Sequence, residues 1–159
     1  MADQISPPRS PCHIGVVTNG IERAMEELTH RFGVQWNVPS TVDKDYVVSS
    51  GQVAWPITVV HSSGPMAIEL IAGPAASVWA TSELTRLHHY AYWSSDLETE
   101  VAALQQKGYE VELTVAAAGG GPSGFAYLVR SGSPRLELIQ RAAGADERMR
   151  AIAGSASRP

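Results

Sequence analysis

Two histidines and two glutamates occupy matched places in this chain. His13 opens His13-Ile14-Gly15-Val16-Val17, and His89 lies within Leu87-His88-His89-Tyr90-Ala91-Tyr92-Trp93. Laid over each other without a gap, His13 falls on His89, Gly15 on Ala91, Ile21 on Leu97, Glu22 on Glu98 and Leu28 on Leu104. Further along, Ile68-Glu69-Leu70-Ile71 answers Leu136-Glu137-Leu138-Ile139. Each copy supplies one imidazole and one carboxylate. A buried carboxylate without a partner is costly or neutralises itself. Glu69 and Glu137, single charges inside apolar runs, must therefore face solvent or meet a cation. The same residue types at corresponding points of both halves favour the cation. Two imidazoles and two carboxylates around a pseudo-twofold axis would form a metal site with positions left for water or substrate. Zinc, cobalt, nickel, manganese and iron(II) all accept such donors, and the sequence does not choose among them.

The elements that must position these residues can be read from hydrophobic period and turn chemistry. Cys12 to Thr18 is a β-branched strand ended by Asn19-Gly20. Ile21, Ala24, Met25, Leu28 and Phe32 recur at helical spacing, and Gly33 closes that helix. Val34–Val38 is a short strand, Pro39-Ser40-Thr41 a loop, and Asp45–Ser50 and Val53–His61 are strands. Ser62-Ser63-Gly64-Pro65 turns into the strand Met66–Ala72 that carries Glu69. The connector Gly73–Arg86 is expected to hold a short helix near Val78–Leu84. The pattern then restarts with a strand over Leu87–Ser94 and a helix over Leu97–Lys107, capped by Asp96 and stopped by Gly108. Strands Tyr109–Val115, Phe125–Arg130 and Arg135–Gln140 follow, the last carrying Glu137, and a short helix is expected over Asp146–Ile152. The expected organisation is a polar tail over 1–11, one βαβββ module over 12–72, a linker over 73–86, a second βαβββ module over 87–141 and a C-terminal tail over 142–159.

The fold class is therefore α+β, two βαβββ modules forming a curved mixed sheet around a central metal-binding cavity. One such sheet with one helix leaves a face uncovered, and two can close on each other. Alternation puts His13, Gly15 and Val17 on one face, and His89, Ala91 and Trp93 on one face. Ile68, Leu70, Leu136 and Leu138 then lie under the helices. The same parity sends His88 to the helix side or the module interface, though its adjacency keeps it as the alternative ligand to His89. Cys12 leaves the strand on the face opposite His13 and is expected to be a buried structural thiol. Trp55, Trp93 and Tyr127, with Tyr46 less strongly placed, sit on strands that should line the cavity, where aromatic walls suit a flat or hydrophobic small-molecule substrate.

Composition narrows the class of partner. The chain has 159 residues, 44% hydrophobic and 18% charged, with a net charge of −4. Its 12 Lys and Arg do not cluster, so neither nucleic acid nor an anionic membrane surface is indicated. No apolar run approaches the ~20 residues of a membrane helix. The opening residues lack the apolar segment of a signal peptide, and a single cysteine forbids an internal disulfide, so a cytoplasmic location is the expectation. Gly119-Gly120-Gly121 lacks the basic residues of a phosphate cradle and reads as a linker or a mobile lid.

The quoted strand, helix and glutamate motifs resemble the vicinal oxygen chelate superfamily, which includes glyoxalase I, methylmalonyl-CoA epimerase, extradiol dioxygenases and bleomycin- or fosfomycin-resistance proteins. The resemblance spans residues 12 to 141 and is closest to the epimerase and glyoxalase I type. It implies that His13, Glu69, His89 and Glu137 are the metal ligands and that the chain is a metal-dependent isomerase, epimerase or lyase. Such an enzyme would act on a small oxygenated carbonyl compound through enolate or oxyanion stabilisation. Proton transfer needs a base, and the resemblance admits Glu137 or Glu69 if one leaves the metal; His61, at the end of the preceding strand, is another candidate. The alternatives are a non-catalytic protein of the same fold that sequesters an aromatic compound or antibiotic and, more weakly, an iron(II) dioxygenase. The arginines of a glutathione site and a coenzyme A phosphate patch are not discernible. Size and superfamily together lead us to expect a homodimer.

Overall fold

A computed structural model of the chain describes residues 11–64 and 67–141. Residues 1–10 of the expected N-terminal tail, the C-terminal tail and the helix at 146–152 lie outside the described residues, as do positions 65 and 66 at the junction of the expected turn and the Glu69 strand. The elements run β1 (His13–Val17), α1 (Ile21–Phe32), β2 (Gln35–Trp36), β3 (Ser40–Val48), β4 (Gly51–Ser63), β5 (Ile68–Ala72), β6 (Arg86–Ser94), α2 (Leu97–Gln106), β7 (Glu110–Val115), β8 (Ser123–Val129) and β9 (Leu136–Gln140). Within each half the first strand pairs in parallel with the last, β1 with β5 and β6 with β9. The halves join antiparallel along β1–β6 and again along β3–β7. Because β4 also pairs with β5, the mixed sheet curves into a closed barrel, with β2 as a short flap on β4. Closure leaves the barrel strands no free edge, so hydrogen bonding around the barrel is satisfied internally.

The two helices cover the outside. Ile21 and Ala24 of α1 are buried over Val60 and Leu70, with Met25 and Leu28 packed beside them. Phe32 is in phase with that stripe but sits at the helix's last residue and is 73% exposed. Gly33 ends α1 in the left-handed region at φ 67° and returns its N–H to the Thr29 carbonyl at 2.8 Å. Leu97 and Val101 of α2 cover Ala126, Leu128 and Leu138. Its N-cap is Asp96, whose Oδ1 accepts from the Thr99 N–H at 3.1 Å. Leu70 and Leu138, each next to one of the glutamates, thus face the helices, as alternation requires.

Three local expectations change. Ser40 and Thr41 belong to β3, because the strand pairs along its whole length with β4, from Ser40 opposite Val59 to Val48 opposite Gly51. The connector contains no helix over 78–84. Instead Ser77 folds back on Pro74, with its N–H and hydroxyl both donating to that carbonyl at 2.9 and 2.7 Å. This turn drives Trp79 into the barrel, where it is buried and donates from Nε1 to the Tyr127 hydroxyl at 3.0 Å. Burying one indole outweighs a helical turn in a segment of small residues and Gly-Pro. Third, of the two positions expected for His88, the helix side is not taken; its Nε2 lies 3.0 Å from the Val78 carbonyl in the connector between the modules. The ladder pairs Gly15 with His89 and Val16 with Leu87, so His88 is the extra residue of a β-bulge, which re-aims its side chain.

Candidate metal centre

Four neighbouring strands, in the order β9-β6-β1-β5, carry Glu137, His89, His13 and Glu69. The register explains how the side chains meet. His89 lies opposite Gly15, which lies opposite Glu69; His13 lies opposite Ala91, which lies opposite Glu137. Each imidazole therefore projects across a small residue toward the carboxylate one strand further on. At Gly15 the clearance is complete, since an added Cβ would stand 1.9 Å from His89 Cε1. The four potential ligand atoms lie within 4.8 Å of one another.

The spacing suits a cation. His13 Nε2 is 3.1 Å from His89 Nε2, 3.0 Å from Glu137 Oε2 and 3.4 Å from Glu69 Oε2. His89 Nε2 is 3.1 Å from Glu137 Oε2 and 3.6 Å from Glu69 Oε2. An ion bonded at about 2.1 Å to such donors would hold adjacent ones roughly 3.0–3.4 Å apart. Glu137 Oε2 is fully buried and, despite those close approaches, makes no hydrogen bond. A carboxylate oxygen left this way, aimed between two ring nitrogens, is a fit for a metal ion rather than for a proton donor. This cluster could therefore hold a divalent ion, although which ion is not encoded in the donor set.

The electrostatics agree. Burial pulls the His13 ring down, but contacts from Cys12, Glu137 and Glu69 outweigh it and push the ring up to about 12. Glu69 is raised by burial, yet His13 and His61 prevail and hold it well below the usual carboxylate range. Glu69 thus calls for positive charge beside it. His88 is the opposite case. Burial first, then the positive charge of Arg135, lower it to about 3 and keep it neutral. Arg135 itself is clamped by both oxygens of Glu112 at 2.6 and 2.7 Å.

The cluster opens on a cavity of about 410 Å³. Trp93 and Tyr127 line it, as does Tyr46. Trp55 is not among the lining residues; its ring packs against those of Trp79 and Tyr46, with centroids 6.0 and 6.4 Å apart. Trp79 and Phe125 contribute walls that sequence reasoning did not single out. The missed signal at Trp79 was a large indole inside a Gly-, Ala- and Ser-rich connector, where a solvated loop has no use for one. His61 lies opposite Glu69 across the β4–β5 ladder, is half exposed, and places Nε2 3.2 Å from Glu69 Oε1. Cys12 is half-buried, its sulfur 4.0 Å from His13 Nδ1 and outside the ligand cluster. Lys44 is the one lysine or arginine among the described lining residues. No described helix is long and apolar enough to cross a membrane.

Solved structures share this architecture. A Streptomyces coelicolor methylmalonyl-CoA epimerase variant in complex with 2-nitronate-propionyl-CoA superposes with a TM-score of 0.57 at 16% identity, covering 87% of this chain and 100% of that one. Methylmalonyl-CoA epimerase from Mycobacterium tuberculosis gives 0.57 at 17%, covering 85% and 89%. A mutant of 4-hydroxymandelate synthase from Streptomyces coelicolor gives 0.53 at 16%, covering 87% of this chain but 40% of that one. At these identities the likeness establishes the fold alone. Among proteins with curated functions, none matches the sequence significantly. Residues 12–127 match the sequence profile of the glyoxalase/bleomycin resistance protein/dioxygenase superfamily, and the chain belongs to that superfamily.

Proposed function

We propose that this chain is a metal-dependent enzyme of the isomerase, epimerase or lyase type, acting on a small oxygenated carbonyl compound. The observation that carries the reading is the convergence of His13, His89, Glu137 and Glu69 on one point of a cavity wall, with a buried oxygen of Glu137 left without a hydrogen bond. Those four residues would hold the ion. When bound, a divalent ion supplies Lewis-acid stabilisation of negative charge on a substrate oxygen.

The remaining work falls to the chain's own groups. Glu69 is divided between the cluster, through Oε2, and His61, through Oε1. Because Oε1 faces His61 and not the cluster, the carboxylate can accept a proton from the carbon beside a carbonyl and return it. His61 orients the carboxylate at the cavity wall. Among the described residues, no ion pair outside the cluster draws on Glu137, which favours Glu69 over Glu137 as the base. Trp93, Tyr127, Trp79 and Phe125 form a wall that excludes water and holds a flat apolar group. Lys44, the one lysine or arginine among the described lining residues, supports a compact substrate with at most one anionic group rather than a ligand with several phosphates.

The test is deuterium exchange at the carbon adjacent to the carbonyl, followed by NMR across α-hydroxycarbonyl and α-dicarbonyl compounds with metal-loaded protein in D₂O. Exchange is expected to stop on chelation and to fall by about 10²–10⁴-fold in Glu69→Gln. Exchange that survives chelation, or that is unchanged in Glu69→Gln, refutes the reading. The aromatic walls also favour a second reading, sequestration of an aromatic compound without turnover, which predicts tight binding that survives chelation.

A further inference from the structure

The bulge in β6 brings two consecutive histidines inside the barrel. His88 is 5% exposed and His89 1%. His88 Nε2 lies 3.0 Å from the Val78 carbonyl oxygen, and its Nδ1 lies 2.9 Å from His89 Nδ1. A carbonyl can only accept, so His88 carries its proton on Nε2. The alternative for the second contact, a doubly protonated His88, would place an imidazolium in a buried site already facing Arg135, whose Nη1 donates to the His88 carbonyl at 3.3 Å. His88 Nδ1 therefore offers a lone pair, and His89 must donate from its own Nδ1. In a neutral ring that leaves His89 Nε2 bare, and Nε2 is the atom turned toward Glu137, Glu69 and His13. The 3.1 Å approach of His13 Nε2 to His89 Nε2 requires one bare nitrogen, and this relay provides it.

We propose that His88 is a positioning residue: anchored on the Val78 carbonyl, it fixes His89 in the Nδ1–H form and presents His89 Nε2 as a ready donor to a divalent cation. The inference rests on the metal-site reading above. Ring contacts support the same role. His88 stands edge-on to His89 with centroids 5.2 Å apart, and Tyr127 packs against both rings at 5.3 and 5.0 Å. In the first half the residue preceding the ligand is Cys12, whose sulfur is 4.0 Å from His13 Nδ1 and bonds weakly at best. The duplicated halves therefore hold their histidines unequally, one by a two-bond relay through the connector and the other loosely. Partners of this kind typically carry 10–100-fold in metal affinity.

The experiment combines two readouts on the full chain. Long-range ¹H–¹⁵N correlation on histidine-labelled, metal-free protein reports the His89 tautomer directly. Cobalt(II) titration, followed by the visible absorption of the bound ion, reports affinity. Expected results are the Nδ1–H form for His89 in the native chain and a 10–100-fold loss of cobalt affinity in His88→Phe. His88→Asn keeps an acceptor near the Nδ1 position and should stay within about 3-fold of native. If His88→Phe does not fold, the native tautomer and His88→Asn decide. An Nε2–H form for His89 in the native chain overturns the proposal, as does unchanged affinity and tautomer in His88→Phe. Failure of the native chain to bind cobalt, with His89 still in the Nδ1–H form, overturns the metal reading and leaves the tautomer assignment standing.

Discussion

Gly15→Ala is a one-methyl perturbation with a large expected effect. The Cβ it adds would stand 1.9 Å from His89 Cε1, 2.2 Å from Nδ1 and 2.3 Å from Nε2. Gly15 is not in the left-handed region, so the backbone tolerates alanine and the whole cost falls on the imidazole. To reach ordinary contact the ring must retreat by more than an ångström. It has nowhere to go, being 1% exposed and held by His88 Nδ1 at 2.9 Å on one side and the Tyr127 ring on the other. Overpacking of this kind costs about 1–3 kcal/mol, or roughly 3–10 °C in melting temperature for a chain of this size. The effect on metal is larger. Structural zinc sites gain about 10–16 kcal/mol from four ligands, so losing one donor removes ~2.5–4 kcal/mol, on the order of 10²–10³ in affinity. Cobalt(II) titration and differential scanning calorimetry on metal-free and metal-loaded protein read both effects. Gly119→Ala is the control, because a Cβ there meets nothing within 4 Å. A Gly15→Ala protein that binds cobalt within 3-fold of native and melts within a degree of it would refute the account of how His89 is seated.

Other perturbations test separate parts of the molecule. Tyr127→Phe strips the acceptor from the buried Trp79 Nε1–H and should cost about 1–3 kcal/mol in urea unfolding; no loss would remove that bond from the account. The Asp96 carboxyl is held below its usual value by the Thr99 contacts at the start of α2, so its stabilising effect is present above about pH 4 and lost as pH falls through the depressed titration. Asp96→Ala should therefore be less stable than native near pH 7, with the difference vanishing at lower pH; a difference that persists in strong acid would contradict this. Metal at 100 times its dissociation constant should add about 2.7 kcal/mol to unfolding stability, and that gain should disappear in Glu137→Gln. Trp93→Ala should weaken retention of aromatic ligands without changing cobalt affinity, measured by titration of each in turn.

Much of this was legible because the chain states its plan twice. The constant offset that lays His13 on His89 and Leu28 on Leu104 announces a duplicated fold, and strand parity then points both histidines inward. The apolar runs around Glu69 and Glu137 make their charges conspicuous. What escaped was whatever breaks periodicity. His88 follows parity on paper, and only the unequal pairing of β1 with β6 reveals the bulge that turns it into the barrel. Trp79 lies in a connector whose small residues suggest nothing about the barrel, and its burial depends on a turn closed by Ser77 and Pro74. Trp55 has the same strand parity as Ile57, but its ring packs against those of Trp79 and Tyr46, so sharing a face did not bring it to the cavity surface. Periodicity fixes which side a residue faces; neighbouring side chains and local irregularity decide what it touches.

The most direct test of the central claim is the anomalous scattering of crystals grown or soaked with a divalent transition metal. The account predicts one peak per chain, bonded to His13 Nε2, His89 Nε2 and Glu137 Oε2, with Glu69 Oε2 completing or bordering the set. A metal-replete crystal with no peak at that point, or with the ion bound elsewhere while these four side chains keep their present spacing, would contradict it.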